Sequence, residues 1–437
     1  MPATKPTMLR IRSYDVGFGD CFLLTFSYPQ SDRHVLIDFG SFPKPKRKSA
    51  GDMVAIAQHI AATCGNELTA VVATHRHADH INGFATKDGK ASGDIIRACK
   101  PKAVIQPWTE HPRLARSASG PAGGRTGGQE FQSADRQAVA AMASMEQFRR
   151  SMLTWLRSEP QALRGVRREL AFLGENGLSN LSAVKNLMTM ATSKSGQKYV
   201  HFGTASGLGP LLPGVRVSVL GPPTIKQSEG KVEAQRKKDQ TEFWHILAAT
   251  ADSRTGNGRS PFAGRFVLKG RDFPGYAQWL VQHADALTRQ QLLSIVRRMD
   301  DFLNNTSVIL LFEAGGKKFL FPGDAQIENW SFALSKPSIR ALVETVDVYK
   351  VGHHGSLNAT PKESLWGRFK KKGKKTGRLV TMLSTEPGHH GRPANCTEVP
   401  RDTLVEALDR DSKLLSTHKS KLTKQQGVAF LEHTVTL

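Results

Sequence analysis

Leu68-Thr69-Ala70-Val71-Val72-Ala73, followed at once by Thr74-His75-Arg76-His77-Ala78-Asp79-His80, decides how this chain is read. Six mostly apolar residues have the length of a buried strand. The heptapeptide behind them gathers three imidazoles and a carboxylate between positions 75 and 80. Neutral imidazole and carboxylate are the donors that hold zinc, manganese or iron, and a strand ending in a tight loop can turn all four onto one point. A solvated histidine cluster would need neither the buried strand before it nor the aspartate between the rings. The stretch predicts a metal site at a strand end.

Strands and helices alternate around it. Met8 to Tyr28 holds two apolar runs about Asp15-Val16-Gly17-Phe18-Gly19-Asp20, the pattern of a hairpin with glycines at its turn. His34-Val35-Leu36-Ile37-Asp38 reads as a third strand, and Asp52 to Cys64 carries helical spacing that leads into the histidine stretch. Val215 to Pro223 alternates like a strand and stops at a proline pair. Ser307 to Ala314 and Lys317 to Phe321 flank Gly315-Gly316, a two-residue hairpin signal that delivers Gly323-Asp324 to a strand end. Val346 to Val351 is a further strand and ends in Gly352-His353-His354-Gly355-Ser356. Leu379 to Ser384 reads as a strand and Asp402 to Leu408 as a helix. Sheet and helix in alternation predict a layered α/β architecture.

Two regions break this texture. Residues 117–129 are rich in Gly and Ser, and 133–173 combine helical spacing with Arg149, Arg150, Arg164, Arg167 and Arg168. A second polar, basic segment runs over 226–271, with helical patterns following through Asp301. The chain therefore divides into a first core segment at 1–115, a helical basic insertion at 116–210, a core strand at 211–225, a second insertion at 226–303 and a final core segment at 304–437. The arginines and lysines of the insertions could line a substrate channel or form the wet faces of surface helices.

Composition narrows the classes of function. The 437 residues carry 61 Lys and Arg against 38 Asp and Glu, a formal net charge of +23. Such an excess concentrates polyanions at the surface, which makes nucleic acid the leading partner. No apolar run approaches the length of a membrane helix, so membrane insertion is not expected. The N-terminal residues lack the apolar core of a secretory signal, and the expected compartment is the cytoplasm. Cys21, Cys64, Cys99 and Cys396 are widely spaced and contain no CxxC, so neither disulfides nor a thiolate site is expected.

THRHADH at 74–80, PGD at 322–324 and HHGS at 353–356, in that order and each after a strand, resemble the motifs of the metallo-β-lactamase fold hydrolases. Within that superfamily, DVGFGD at 15–20, LIDFG at 36–40, NNTSVILL at 304–311 and KVGHHGS at 350–356 are similar to the hydrolase domain of competence DNA-uptake channel proteins. The resemblance covers roughly the first 110 and last 140 residues plus the strand near 215–223; the insertions have no counterpart in it. It implies a four-layer αββα sandwich with two divalent metal ions, Zn2+ or Mn2+, at one edge of the sheets. His75 and His77 would bind the first ion, Asp79 and His80 the second, Asp324 would bridge, and His353 or His354 would complete the second site. The histidine that family members carry before the bridging aspartate is missing, and Asn304-Asn305-Thr306-Ser307 stands there instead. Either an Asn or a water fills that place, or a histidine such as His245 or His283 reaches in from the insertion, or the first metal binds weakly.

The implied activity is hydrolysis by a metal-held hydroxide, with a nuclease or phosphodiesterase as first expectation. Asp79 could orient the nucleophile, and whichever of His353 and His354 is not a ligand could hydrogen-bond the scissile group. Hydrolysis of a small molecule such as a lactone, thioester or cyclic nucleotide is the alternative. A nucleic-acid-binding assembly subunit with a degenerate site is another. Asp15 and Asp20 fit turn chemistry first and a bond to a ligand histidine second, whereas Asp38 is divided between the two. Lys370 to Lys375 reads as a solvated basic loop or a phosphate-contacting strip, and His389-His390 as decoration of a loop near the mouth of the site.

Overall fold

In the computed structural model the described residues are 5–46, 50–112, 167–176, 180–228, 300–391 apart from 302, and 398–437, with isolated positions between 113 and 166. Arg149, Arg150, Arg164, His245, His283 and Cys396 lie outside them, as do most of both expected insertions.

Period-two alternation of apolar residues builds two sheets that are buried on both faces. The first sheet has eight strands in the order β13-β14-β1-β2-β3-β4-β5-β6. Here β1 is Met8–Tyr14, β2 Cys21–Ser27, β3 Asp32–Phe39, β4 Ala70–Val72, β5 Ala103–Pro107, β6 Gln197–Val200, β13 Thr423–Gln425 and β14 Val428–Thr436. Pairing is antiparallel from β13 to β3 and parallel from β3 to β6. The second sheet runs β12-β11-β10-β9-β8-β7, with β7 Arg216–Gly221, β8 Ile309–Ala314, β9 Lys317–Phe321, β10 Val348–Lys350, β11 Val380–Leu383 and β12 Lys413–Ser416. Its β7-β8-β9 part is antiparallel and its β9-β10-β11-β12 part parallel.

Alternate residues of each strand enter different cores. Leu24, Ile37, Val72 and Ile105 of the first sheet meet Leu310, Phe312, Phe319 and Met382 of the second in one apolar cluster. Their neighbours Leu23, Leu36, Val71 and Val104 face the other way, onto α1 (Met53–Thr63), α3 (Ser92–Ala98) and α5 (Leu181–Thr189). On the far side of the second sheet, Leu311, Leu320 and Tyr349 pack with α6 (Ile327–Leu334), α7 (Pro337–Glu344) and α8 (Asp402–Asp411). Helices thus cover the outer face of each sheet, and the protein is of mixed α/β class.

Local chemistry sets the element ends. Asp52 caps α1 by accepting from Val54 N at 2.9 Å, satisfying a helix-terminal donor. At the β8-β9 hairpin Gly315 and Gly316 have φ of 55° and 75°, the two left-handed positions the tight turn requires. One expectation needs correction. Residues 116–210 were expected to be insertion, yet Gln197–Val200 is the edge strand of the first sheet, so the core resumes before position 211. The tail beyond the last expected helix supplies β12, β13 and β14, and β14 pairs with β1 along seven registered positions from Met8↔Thr436 to Tyr14↔Phe430.

Candidate metal centre

The sheets deliver chemistry at the C-terminal ends of their parallel strands. After β4 the chain enters Thr74 and the short helix α2 (Ala78–Ile81), carrying His75, His77, Asp79 and His80, none more than 1 % exposed. After β9 comes Asp324, and after β10 the His353-His354 turn. Close approach demands glycine at two places. A Cβ on Gly323 would lie 2.7 Å from the Thr74 Cβ, and one on Gly40 would lie 2.3 Å from the His80 nitrogen. His353 and His354 both occupy left-handed backbone, with φ of 45° and 51°. Such strain is of order 1–3 kcal/mol per residue and persists where surrounding structure enforces it.

Asp79, His80, Asp324 and His354 place ligand atoms within 4.8 Å of one another. His80 Nε2 is 3.0 Å from Asp324 Oδ2 and 3.9 Å from Asp79 Oδ1, and His354 Nε2 is 3.0 Å from Asp79 Oδ2 and 3.6 Å from Asp324 Oδ2. Asp79 Oδ1, His80 Nε2 and Asp324 Oδ2 are buried without hydrogen-bond partners. Buried polar atoms converging on one point without partners are what a cation coordinated by them leaves when it is taken away. The donor set, two imidazoles and two carboxylates, fits a zinc or manganese ion.

Behind this cluster lies a rigid support. Asp38 accepts from Thr74 N and Thr74 Oγ1, each at 2.7 Å, and its Oδ2 lies 2.8 Å from His80 Nδ1. A carboxylate on Nδ1 fixes the tautomer and leaves Nε2 as the donor to a metal. Asp20, in the β1-β2 connection, lies 3.7 Å from both His80 Nδ1 and His354 Nδ1 and makes a close ion pair with Lys350 Nζ. Lys350 also bonds the Gly323 carbonyl at 3.0 Å and lies 3.4 Å from Asp324 Oδ1. Asp324 Oδ1 further accepts from His353 N at 3.1 Å, so only Oδ2 is turned toward the histidines. Asp20, Asp38 and His80 also form a carboxylate-rich group, but Lys350 and the His80 ring already supply its positive charge.

Protonation tendencies follow this crowding. Burial pulls His80 and His354 down, but Asp324 leads the neighbouring carboxylates in pushing both above the ordinary imidazole value. Burial raises Asp79 and Asp324, yet His80 leads the positive groups that hold both below the usual carboxylate range. Asp38 is raised by burial against the pull of His80. Lys350 is raised, since Asp20 and Asp324 overcome its desolvation. The pocket draws positive charge onto itself from whatever groups can carry it.

His75 and His77 occupy a different setting. His75 Nε2 and His77 Nδ1 are 3.0 Å apart. Thr74 Oγ1 gives its proton to Asp38, so it can only accept from His75 Nδ1, 3.2 Å away, which leaves His75 Nε2 with its lone pair. Asp300 Oδ1 lies 3.4 Å from His77 Nε2, and His77 Nδ1 can donate to His75 Nε2 across the 3.0 Å contact. Burial, with His80 and His77 adding to it, drives His75 well below the usual imidazole range. Asn304, fully buried, donates to Asp300 Oδ2 at 3.1 Å and keeps its Oδ1 without a hydrogen-bond partner.

Of the expected residues, Asp79, His80, Asp324 and His354 come together in one cluster, and His75, His77 and His353 stand beside it. His354 is the adjacent-pair member whose ring joins the ligand cluster. His353, with 14 % of its side chain exposed, stands 3.9 Å from Asp324 Oδ2 and is lowered by burial against the pull of Asp324. Asn304 is present near the missing-histidine position, but through Asp300, which sequence reading overlooked. Asp15 makes a turn contact to Gly17 N at 3.4 Å, whereas Asp20, read first as turn chemistry, belongs to the centre. Lys350 was also overlooked; its one signal is a lysine inside the apolar strand Val348-Tyr349-Lys350-Val351. His389 pairs with Glu386 beside Phe18, whose ring lies 4.4 Å from that of His354, and His390 stacks on Phe172 at 5.2 Å. Phe172 and Asn176 belong to α4 (Arg167–Asn176), and Asn176 Oδ1 accepts from Asp79 N at 3.3 Å, closing that side. Neither the models of protein families nor the curated proteins give a match to this chain.

Proposed function

We propose that this chain is a divalent-metal-dependent hydrolase of metallo-β-lactamase fold that cleaves phosphodiester bonds in nucleic acid. The observation that carries the reading is the convergence of Asp79, His80, Asp324 and His354, with partnerless buried atoms directed at one another. The stacking of helices, sheet, sheet and helices, with the centre at strand ends, supports the four-layer sandwich. The net charge of +23 supports a polyanionic substrate. Asp79, His80, Asp324 and His354 would hold one ion, and His75 and His77 a second. The chemistry such ions supply is a water made acidic near neutral pH and relief of the charge that grows on a phosphoryl oxygen.

The protein's own groups complete the site. Asp79 Oδ1 is placed to accept a hydrogen bond from the attacking water and so orient it. His353, kept neutral by burial and reached from solvent, would donate a hydrogen bond to an oxygen of the scissile group. Lys350 and His353 N hold Asp324 through Oδ1 so that Oδ2 stays directed inward.

A second reading has its own support: the close burial of the ligands, with α4 against Asp79, suits a small phosphodiester or ester better than a long polymer. Both are tested by incubating the protein with single- and double-stranded DNA, with RNA, and with a chromogenic phosphodiester under Mn2+ and Zn2+, beside an Asp79→Ala/His80→Ala variant. Cleavage of polymer by wild type alone supports the nuclease. Turnover of the small ester over intact polymer replaces it with the second reading, and equal behaviour of wild type and variant removes both in favour of a binding subunit.

A further inference from the structure

A groove of about 1140 Å3 lies away from the metal centre. It is lined at the N-terminal ends of β9, β10, β11 and β12 by Lys317, Val348, Val380 and Lys413, whereas the metal residues follow the C-terminal ends of β9 and β10. On the order of 20 Å of extended chain separates Lys317 from Asp324. The two places share no residue.

Its lining is dominated by positive charge. Lys317, Lys374, Lys375, Arg378, Arg410 and Lys413 face Asp347 and Asp409 as the acidic members. Asp347 is already engaged: it takes Lys371 Nζ at 2.7 Å, Lys318 N at 3.0 Å and Lys317 Nζ at 3.6 Å. Arg410 is held by Asp411 at 2.8 Å, and Arg378 bonds the Gly373 carbonyl at 3.3 Å. Lys374, Lys375 and Lys413 are exposed and enter no ion pair among the described residues. His433, on the same wall, is driven down to about 4 by burial first and by Lys413 second, which registers the local positive field. Thr434 and Thr436 add hydroxyls to that wall.

We propose that this groove is a second, metal-independent site for the phosphate backbone of nucleic acid. Several ammonium groups without carboxylate partners, spread along a groove far larger than one phosphate, suit a chain of phosphates. Strongly hydrated lysines act there as point charges, which gives affinity without base selectivity. The groove would hold a polymer at the face opposite the centre, raising its local concentration while leaving the ligands untouched. The proposal does not depend on the hydrolytic reading.

The test is equilibrium binding of a fluorescein-labelled single-stranded DNA 20-mer to the full chain in EDTA, over a range of salt. Lys374→Glu/Lys375→Glu/Lys413→Glu is expected to bind about tenfold more weakly at moderate salt. The slope of log affinity against log salt should fall by about 2, as loss of three phosphate contacts on a single strand implies. Lys374→Gln/Lys375→Gln/Lys413→Gln should show the same slope change with a smaller loss, and Asp79→Ala/His80→Ala should bind as wild type. Because all three lysines are exposed, a thermal melt matching wild type is expected for both lysine variants. Unchanged affinity and slope in the lysine variants would overturn the proposal. So would polyglutamate of equal charge displacing the DNA as effectively as unlabelled DNA does, since that result describes generic attraction of acidic chains.

Discussion

The two halves of the metal centre are built on opposite plans. Around Asp79, His80, Asp324 and His354 the chain has invested carboxylates, a buried lysine and a chain of orienting bonds from Thr74 through Asp38 to His80. Around His75 and His77 it offers two facing nitrogens, one aspartate against the outer edge of His77, and an asparagine bonded to that aspartate. The first half holds its shape through charge pairs that are costly to disturb, whereas the second rests on a contact between two imidazoles. On the proposed two-ion reading, the first half should therefore bind its ion more tightly than the second.

The most severe way to break the comparison is Asp324→Asn. It replaces the carboxylate that faces both His80 and His354 with a neutral amide, and on the proposed hydrolytic reading a loss of cleavage of about a hundred- to a thousandfold is expected. Single-turnover assays with metal analysis of the purified variant would check it; near-normal metal content and rate would remove Asp324 from the centre. Next is Lys350→Met, which leaves Asp20 and Asp324 facing each other in a buried place. Urea unfolding in EDTA should show a loss of about 3–5 kcal/mol, and added Mn2+ should restore part of it. A loss no larger in EDTA than in Mn2+ would mean that Lys350 does not stand in for metal charge. Asp38→Asn keeps the shape but weakens the hold on His80 Nδ1, and calorimetric titration should find metal affinity about 10–100-fold lower. The smallest effect sharpens the comparison instead: Asn304→His adds an imidazole beside Asp300 and His77, so on the proposed two-ion reading metal stoichiometry at limiting concentration should rise toward two ions per chain. Stoichiometry unchanged from wild type would show that Asn304 does not border the weak half.

Much of this was legible because it is local. A run of six mostly apolar residues, with β4 at its centre, leading into THRHADH states its own chemistry, and Asp324 and His354 each follow a strand end marked by glycine. The β8-β9 hairpin was readable from Gly315-Gly316 for the same reason. Other features were hidden because their meaning lies in partners far along the chain. Lys350 looks like an interruption of an apolar strand until Asp20 stands beside it, and Asp20 looks like a turn residue until Lys350 does. Asp300 sits at the close of a basic polar segment with nothing in its neighbours to link it to His77. β6 escaped notice because Gln197-Lys198-Tyr199-Val200 is too short and too polar to announce a strand, and only edge pairing with β5 makes it one.

Pairing of β14 with β1 bears on how the molecule is made. A ribosome releases Met8–Tyr14 early, yet the strand that covers its open edge emerges more than 400 positions later. Through most of synthesis β1 presents a row of unused amides and carbonyls beside apolar Leu9 and Ile11, the profile of a segment that associates with other chains. Slow translation or heavy expression would lengthen that interval, and a chaperone that occupies sheet edges would shorten the exposure. Yield of native protein should therefore depend more on how the early strands are sheltered than on the supply of metal.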